Sequence, residues 1–146
     1  FGGVWDVGRV AHSRRDFLNK NPMNTADAAG RQAEELAARY LEQKGYQIVA
    51  RRFRSRQGEI DLIARQQGVI VFVEVKYRRT TQWGRPALSV SAAKIRRIQQ
   101  TALYYLRQSR QSDVSCRFDV IELWQEQGRY KIHHYENAFE GASYGI

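Results

Sequence analysis

The stretch EIDLIARQQGVIVFVEVKY, residues 59–77, decides how this chain is read. Glu59–Arg65 and Val69–Tyr77 carry the β-branched and aromatic residues that favour strands, and Gln66-Gln67-Gly68 separates them. A tight hairpin centred on Gln67-Gly68 sets Leu62 opposite Val73, Ile63 opposite Phe72 and Ala64 opposite Val71. Continued outward, the same register predicts Ile60 across from Val75, Asp61 across from Glu74 and Glu59 across from Lys76. The apolar set Ile60, Leu62, Ala64, Val71, Val73 and Val75 then shares one face, fit for burial. Asp61, Glu74 and Lys76 share the other. Opposed residues in an antiparallel pair have Cβ atoms about 4.5–5.5 Å apart. Two carboxylates that close repel unless a cation or a proton intervenes.

Outward from the hairpin, the periodicity changes to that of helices. Thr25 or Asp27 caps a helix expected to run to about Lys44, with Gly45 as its stop. Ala33, Leu36, Ala37, Tyr40 and Leu41 form its buried stripe. Tyr46–Phe53 reads as a strand. Beyond the hairpin, Thr80–Val90 is a loop, and Ser91 caps a second helix to about Ser109, buried through Ile95, Ile98, Ala102, Tyr105 and Leu106. Cys116–Trp124 and Tyr130–Tyr135 are strands joined at Gly128. The order is helix, three strands, helix, two strands. It predicts an α/β protein with a mixed central sheet flanked by helices, the second helix crossing over to set Cys116–Trp124 parallel to a hairpin strand. Residues 24–140 are the expected domain. Residues 1–23, which lack periodicity and hold the only methionine, Met23, read as a disordered extension, and 141–146 as a tail.

No apolar run approaches the ~18 residues of a membrane span. Cys116 is the only cysteine, which excludes an internal disulfide; it reads as a buried strand thiol in a reducing cytoplasm. Net charge is +9, which favours a polyanionic partner, nucleic acid ahead of membrane. The cations cluster as Arg51, Arg52, Arg54 and Arg56, then Lys76, Arg78 and Arg79, then Lys94, Arg96 and Arg97, all near the acid hairpin. Of these, Arg51, Arg52, Arg54, Arg56, Arg78, Arg79, Lys94 and Arg97 are the expected nucleic-acid-binding residues.

Gly30 with Glu34, Gly58–Ile63, Val71–Lys76 and Arg117–Val120 together resemble the YraN-like family of bacterial endonucleases. That family lies in the restriction-endonuclease-like PD-(D/E)xK superfamily and is related to archaeal Holliday-junction resolvases. The resemblance spans roughly Ala28 to Phe139 and implies a restriction-endonuclease-like fold. It implies that Asp61 and Glu74, with the Val75 carbonyl, hold Mg2+ or Mn2+, and that Lys76 orients or deprotonates the attacking water. Glu34 resembles an extra acid aimed at the metal, and Gln100 and Tyr104 echo a supporting Gln-x-x-x-Tyr pattern. Glu59 is read as a partner holding Lys76. The implied activity is hydrolysis of DNA phosphodiesters, with branched DNA among the substrates; symmetric two-strand cleavage would require a homodimer.

Each reading has a plainer rival. Glu59 and Lys76 could form only a cross-strand ion pair, and Glu34 could be a solvated helix residue. His133 and His134 read as structural or surface residues, and Asp119 as a strand-end residue. A non-catalytic module binding DNA, RNA or the ribosome is the alternative for the whole chain.

Overall fold

The computed structural model describes residues 4–6, 25–78, 90–111 and 113–139. Along the chain these form β1 (Val4–Asp6), α1 (Thr25–Gln43), β2 (Gln47–Arg54), β3 (Glu59–Gln66), β4 (Val69–Arg78), α2 (Ala92–Gln108), β5 (Cys116–Glu126) and β6 (Arg129–Phe139). One sheet runs in the order β1-β6-β5-β4-β3-β2. Its β4–β5 pairing is parallel and the others are antiparallel. The helical crossover through α2 therefore produces the mixed α/β sheet that the sequence predicts.

The β3–β4 turn carries two consecutive left-handed residues, Gln67 at φ 50° and Gly68 at φ 78°. Such turns twist with the strands they join, which is why they favour two-residue hairpins. The register is the predicted one from Gln66/Val69 to Leu62/Val73.

Two cores lie on opposite sides of the sheet. Ala33, Leu36, Ala37, Tyr40 and Leu41 of α1 cover Leu62, Ala64, Val71, Val73 and Ile121. Ile98 and Ala102 of α2 cover Ile60, Ile63, Phe72 and Phe118. Ile60 thus belongs to the second core and not, as the simple alternation predicts, to the face of Leu62. The strand loses its two-residue alternation around Asp61, beyond the last backbone pair of the hairpin.

Two further expectations are corrected. Within residues 1–23, Val4–Asp6 is a strand rather than disordered, because it satisfies the outer edge of β6. Cys116 is exposed at the start of β5, where the strand has not yet reached the core. Arg79, most of the Thr80–Val90 loop and the 141–146 tail lie outside the described residues.

Candidate functional site

Strand β3 leaves β4 at Asp61. Beyond Leu62/Val73 no residues are paired across the hairpin. Asp61 Oδ2 instead accepts a 2.8 Å hydrogen bond from the Val75 N–H. The side chain does there what a strand carbonyl does further down the ladder. Asp61 is thus fixed to β4 next to Glu74 by its own carboxylate, and not merely by lying opposite it.

Glu74 is buried, with 7% exposure. Burial, and then the Glu74 charge, push the Asp61 carboxyl up to about 8; the Val75 hydrogen bond and Lys94 pull against that rise. The acid pair is short of positive charge, a deficit that a hard divalent ion or a shared proton could relieve.

Lys76 lies on the same strand two residues on. Burial, followed by the charges of Arg78 and Lys94, holds its ammonium below the ordinary lysine range, against the pull of Glu74 and Glu122. Its carboxylate neighbour is not Glu59. Because β3 and β4 have parted, Glu59 turns back to β2 and pairs with Arg54 at 2.9 Å. Glu122 of β5 occupies the register position beside Lys76. It also pairs with Arg78, so that predicted nucleic-acid-binding residue is committed to the sheet. Glu122 could not be read from the hairpin, since it arrives through the distant parallel strand.

Lys94, in the first turn of α2, reaches Glu74 Oε1 at 2.8 Å. The turn before β3 fixes this helix against the site: Ser55 Oγ meets Thr101 Oγ1 at 3.2 Å. A Cβ on Gly58 would stand 3.3 Å from both Arg97 Cβ and Thr101 Oγ1, so only glycine leaves this approach unstrained.

Other predicted residues stand apart. Glu34 is electrostatically coupled to Asp61, yet its Oε2 is bound 2.8 Å from Arg52 Nε. Among the described residues, no group of three or more His, Cys, Asp and Glu side chains could hold a metal. Two carboxylates and waters are enough for Mg2+, which keeps much of its hydration, so the residues present fit that ion. Gln100 points to solvent, while its neighbour Gln99 is buried, one position from the predicted one. Tyr104 is 46% exposed and lies against Phe53, not the acids.

The β2 arginines are engaged in ion pairs: Arg52 with Glu34, Arg54 with Glu59, and Arg51 with Glu35, which it shares with Arg39. Arg56, Arg96 and Arg97 are exposed, and Arg97 acts electrostatically on Lys94.

On the opposite face, a buried network escaped the sequence reading. Asp119 is fully buried and accepts from His134 Nε2 at 2.7 Å, Arg117 Nε at 3.0 Å and the Asn137 N–H at 2.9 Å. Burial opposes its charge, but these donors more than offset it and hold Asp119 below the usual carboxylate range. His134 Nδ1 continues the chain to the Tyr40 hydroxyl at 3.0 Å. The network ties α1 to β5 and β6 on the face away from the acid pair.

The fold and this site define an α/β protein whose mixed sheet presents two adjacent acids and a lysine next to a helix N-terminus. The chain belongs to the family described as "Uncharacterised protein family UPF0102", matched over residues 33–123. A UPF0102 protein of Syntrophomonas wolfei is 44% identical over 106 residues, covering 73% of this chain and 92% of that one. One of Geobacter metallireducens is 46% identical over 111 residues, covering 76% and 91%. Among solved structures, Pyrococcus furiosus SfsA in complex with Ca2+ is similar at TM-score 0.43 and 12% identity, over 73% of this chain and 63% of that one. No helix among the described residues is long and apolar enough to cross a membrane.

Proposed function

We propose that this protein is a cytoplasmic, metal-dependent nuclease that hydrolyses DNA phosphodiester bonds, branched DNA included. The reading rests on one observation: Asp61, hooked onto the Val75 N–H, lies beside buried Glu74, and burial, then the Glu74 charge, push its carboxyl up to about 8. Asp61 and Glu74, with the Val75 carbonyl, would hold Mg2+ or Mn2+. The ion would activate a water and draw charge from the scissile phosphate.

The chain's own residues supply the rest. Asp61 and Glu74 would orient the hydrated ion. Lys76, held below the ordinary lysine range, is suited as the neutral amine to take a proton from the attacking water, or as the ammonium to steady the charge that develops on phosphate. Arg56, Arg96 and Arg97 provide the exposed cationic surface for the phosphate backbone. One such site cuts one strand, so paired cuts would need a homodimer.

A second reading, a non-catalytic DNA- or RNA-binding module, draws support from Lys94, which already neutralises Glu74. The test separates them. Linear, nicked and four-way-junction DNA are incubated with Mg2+, Mn2+ or chelator, alongside Asp61→Ala and Glu74→Ala. Products that vanish with chelator and in both variants support the nuclease. Binding without products under every condition sinks it, and preference for RNA favours the module.

A further inference from the structure

The acid pair carries a cation of its own. Lys94 Nζ lies 2.8 Å from Glu74 Oε1, and its charge also acts on Asp61. The root of this side chain is fixed, because the Lys94 N–H donates to Ser91 Oγ at 3.1 Å in the N-cap of α2. A lysine in a first helical turn opposes the helix dipole, and that turn of α2 holds no acid to compensate. Glu74 is the compensation. The ammonium approaches it from the solvent side: the Lys94 side chain is 42% exposed and that of Glu74 is 6%. A carboxylate oxygen that a divalent ion needs is therefore occupied by a tethered monovalent one.

We propose that Lys94 is a built-in counter-ion that competes with the divalent cation for Glu74 and, once displaced, turns to the phosphate of the nucleic acid. This rests on the metal-dependent reading above. A divalent ion brings twice the charge of the ammonium to two carboxylates at once, so it wins at sufficient concentration. The expelled ammonium stays tethered by its flexible four-carbon stem at the mouth of the site, near Lys76 and Arg97. Cation binding then creates a free positive charge for phosphate, and phosphate binding keeps that charge off Glu74. Each ligand strengthens the other, reciprocally.

Calorimetric titration with Mn2+ alone, without nucleic acid, tests this on wild type, Lys94→Met, Lys94→Arg and Glu74→Gln, with thermal melts checking that each is folded. Lys94→Met is expected to bind Mn2+ about 5- to 150-fold tighter, a typical coupling range. Lys94→Arg is expected to bind near the wild-type affinity, and Glu74→Gln not at all. In anisotropy with a fluorescent four-way junction, Ca2+ strengthens binding by the wild type, and Lys94→Met loses that gain. Unchanged or weaker Mn2+ binding by folded Lys94→Met, with Glu74→Gln still inactive in binding, overturns the counter-ion and leaves the nuclease reading standing. Absence of Mn2+ binding in both wild type and Lys94→Met overturns both.

Discussion

The Val75 N–H donates to Asp61 Oδ2 over 2.8 Å where β3 and β4 part, so one acid of the site also closes the sheet. The two roles separate by substitution. Asp61→Asn keeps an oxygen for Val75 but removes the charge, whereas Asp61→Ala loses both. In urea unfolding at pH 8 without divalent ions, Asp61→Asn is expected to be at least as stable as wild type. Asp61→Ala is expected to fall below Asp61→Asn by about 1–3 kcal/mol, the cost of a buried donor left unsatisfied. Both are expected to abolish Mn2+ binding in calorimetry.

The raised Asp61 carboxyl fixes the sign of a pH dependence. Between an ordinary aspartate value and about 8, the folded chain holds a proton that the unfolded chain has released. The Asp61 contribution to stability therefore falls as pH rises through that window. Urea midpoints at pH 5.5, 6.5, 7.5 and 8.5, compared between wild type and Asp61→Asn, isolate it. Mn2+ supplies the missing positive charge, so its stabilisation of wild type is expected to be larger at pH 8 than at pH 6. An equal effect at both would remove the shared-charge account of the site.

Lys76→Ala is expected to slow single-turnover cleavage by about 10²–10⁴-fold, the usual worth of a positioned proton-transfer group. Junction affinity measured in Ca2+ should change little by comparison. A loss of affinity equal to the loss of rate would make Lys76 a phosphate-binding group only.

Ion pairing divides the arginines. Arg56→Ala and Arg97→Ala, at exposed positions, should weaken DNA binding and lower the slope of log affinity against log salt by about 0.9 for each phosphate no longer neutralised. Arg52→Ala and Arg54→Ala, whose charges are matched by Glu34 and Glu59, should move that slope much less. Anisotropy titrations between low and moderate salt read the difference.

Asp119→Ala strands Arg117 and His134 without their shared acceptor and should cost about 3–5 kcal/mol in urea unfolding, the range for breaking a buried charged pair. Because the folded Asp119 carboxyl lies below its ordinary value, its contribution is intact above the unfolded pKa. It is lost as pH falls through the folded one. Acid unfolding of the variant should be correspondingly less steep than that of wild type.

The parts legible from sequence are those where neighbours along the chain decide the outcome. The α1 stripe, the Ser91 cap, the Gln67-Gly68 turn and five hairpin pairs all follow from local pattern. The parallel placement of β5 follows from the length of the crossover. Legibility fails where a side chain replaces a backbone partner, as Asp61 does, since alternation then stops and Ile60 changes faces. Nor does pattern tell Gln99, which is buried, from Gln100, which is exposed, since adjacent helix positions turn in opposite directions. It fails for the contacts among Asp119, His134 and Tyr40, whose buried or structural character was legible but which meet only after strand and helix are stacked. Alternating histidines on a strand gave no signal of that meeting.

Strand β4 has an early neighbour and a late one. Its hairpin with β3 closes across two residues, but its other side waits for a segment beginning at Cys116. Pairing between segments so far apart in sequence is intrinsically slow to form. Until Glu122 has been made, Glu74 and Lys76 belong to a half-built sheet. The charge balance around Lys76 is therefore complete only once β5 has docked.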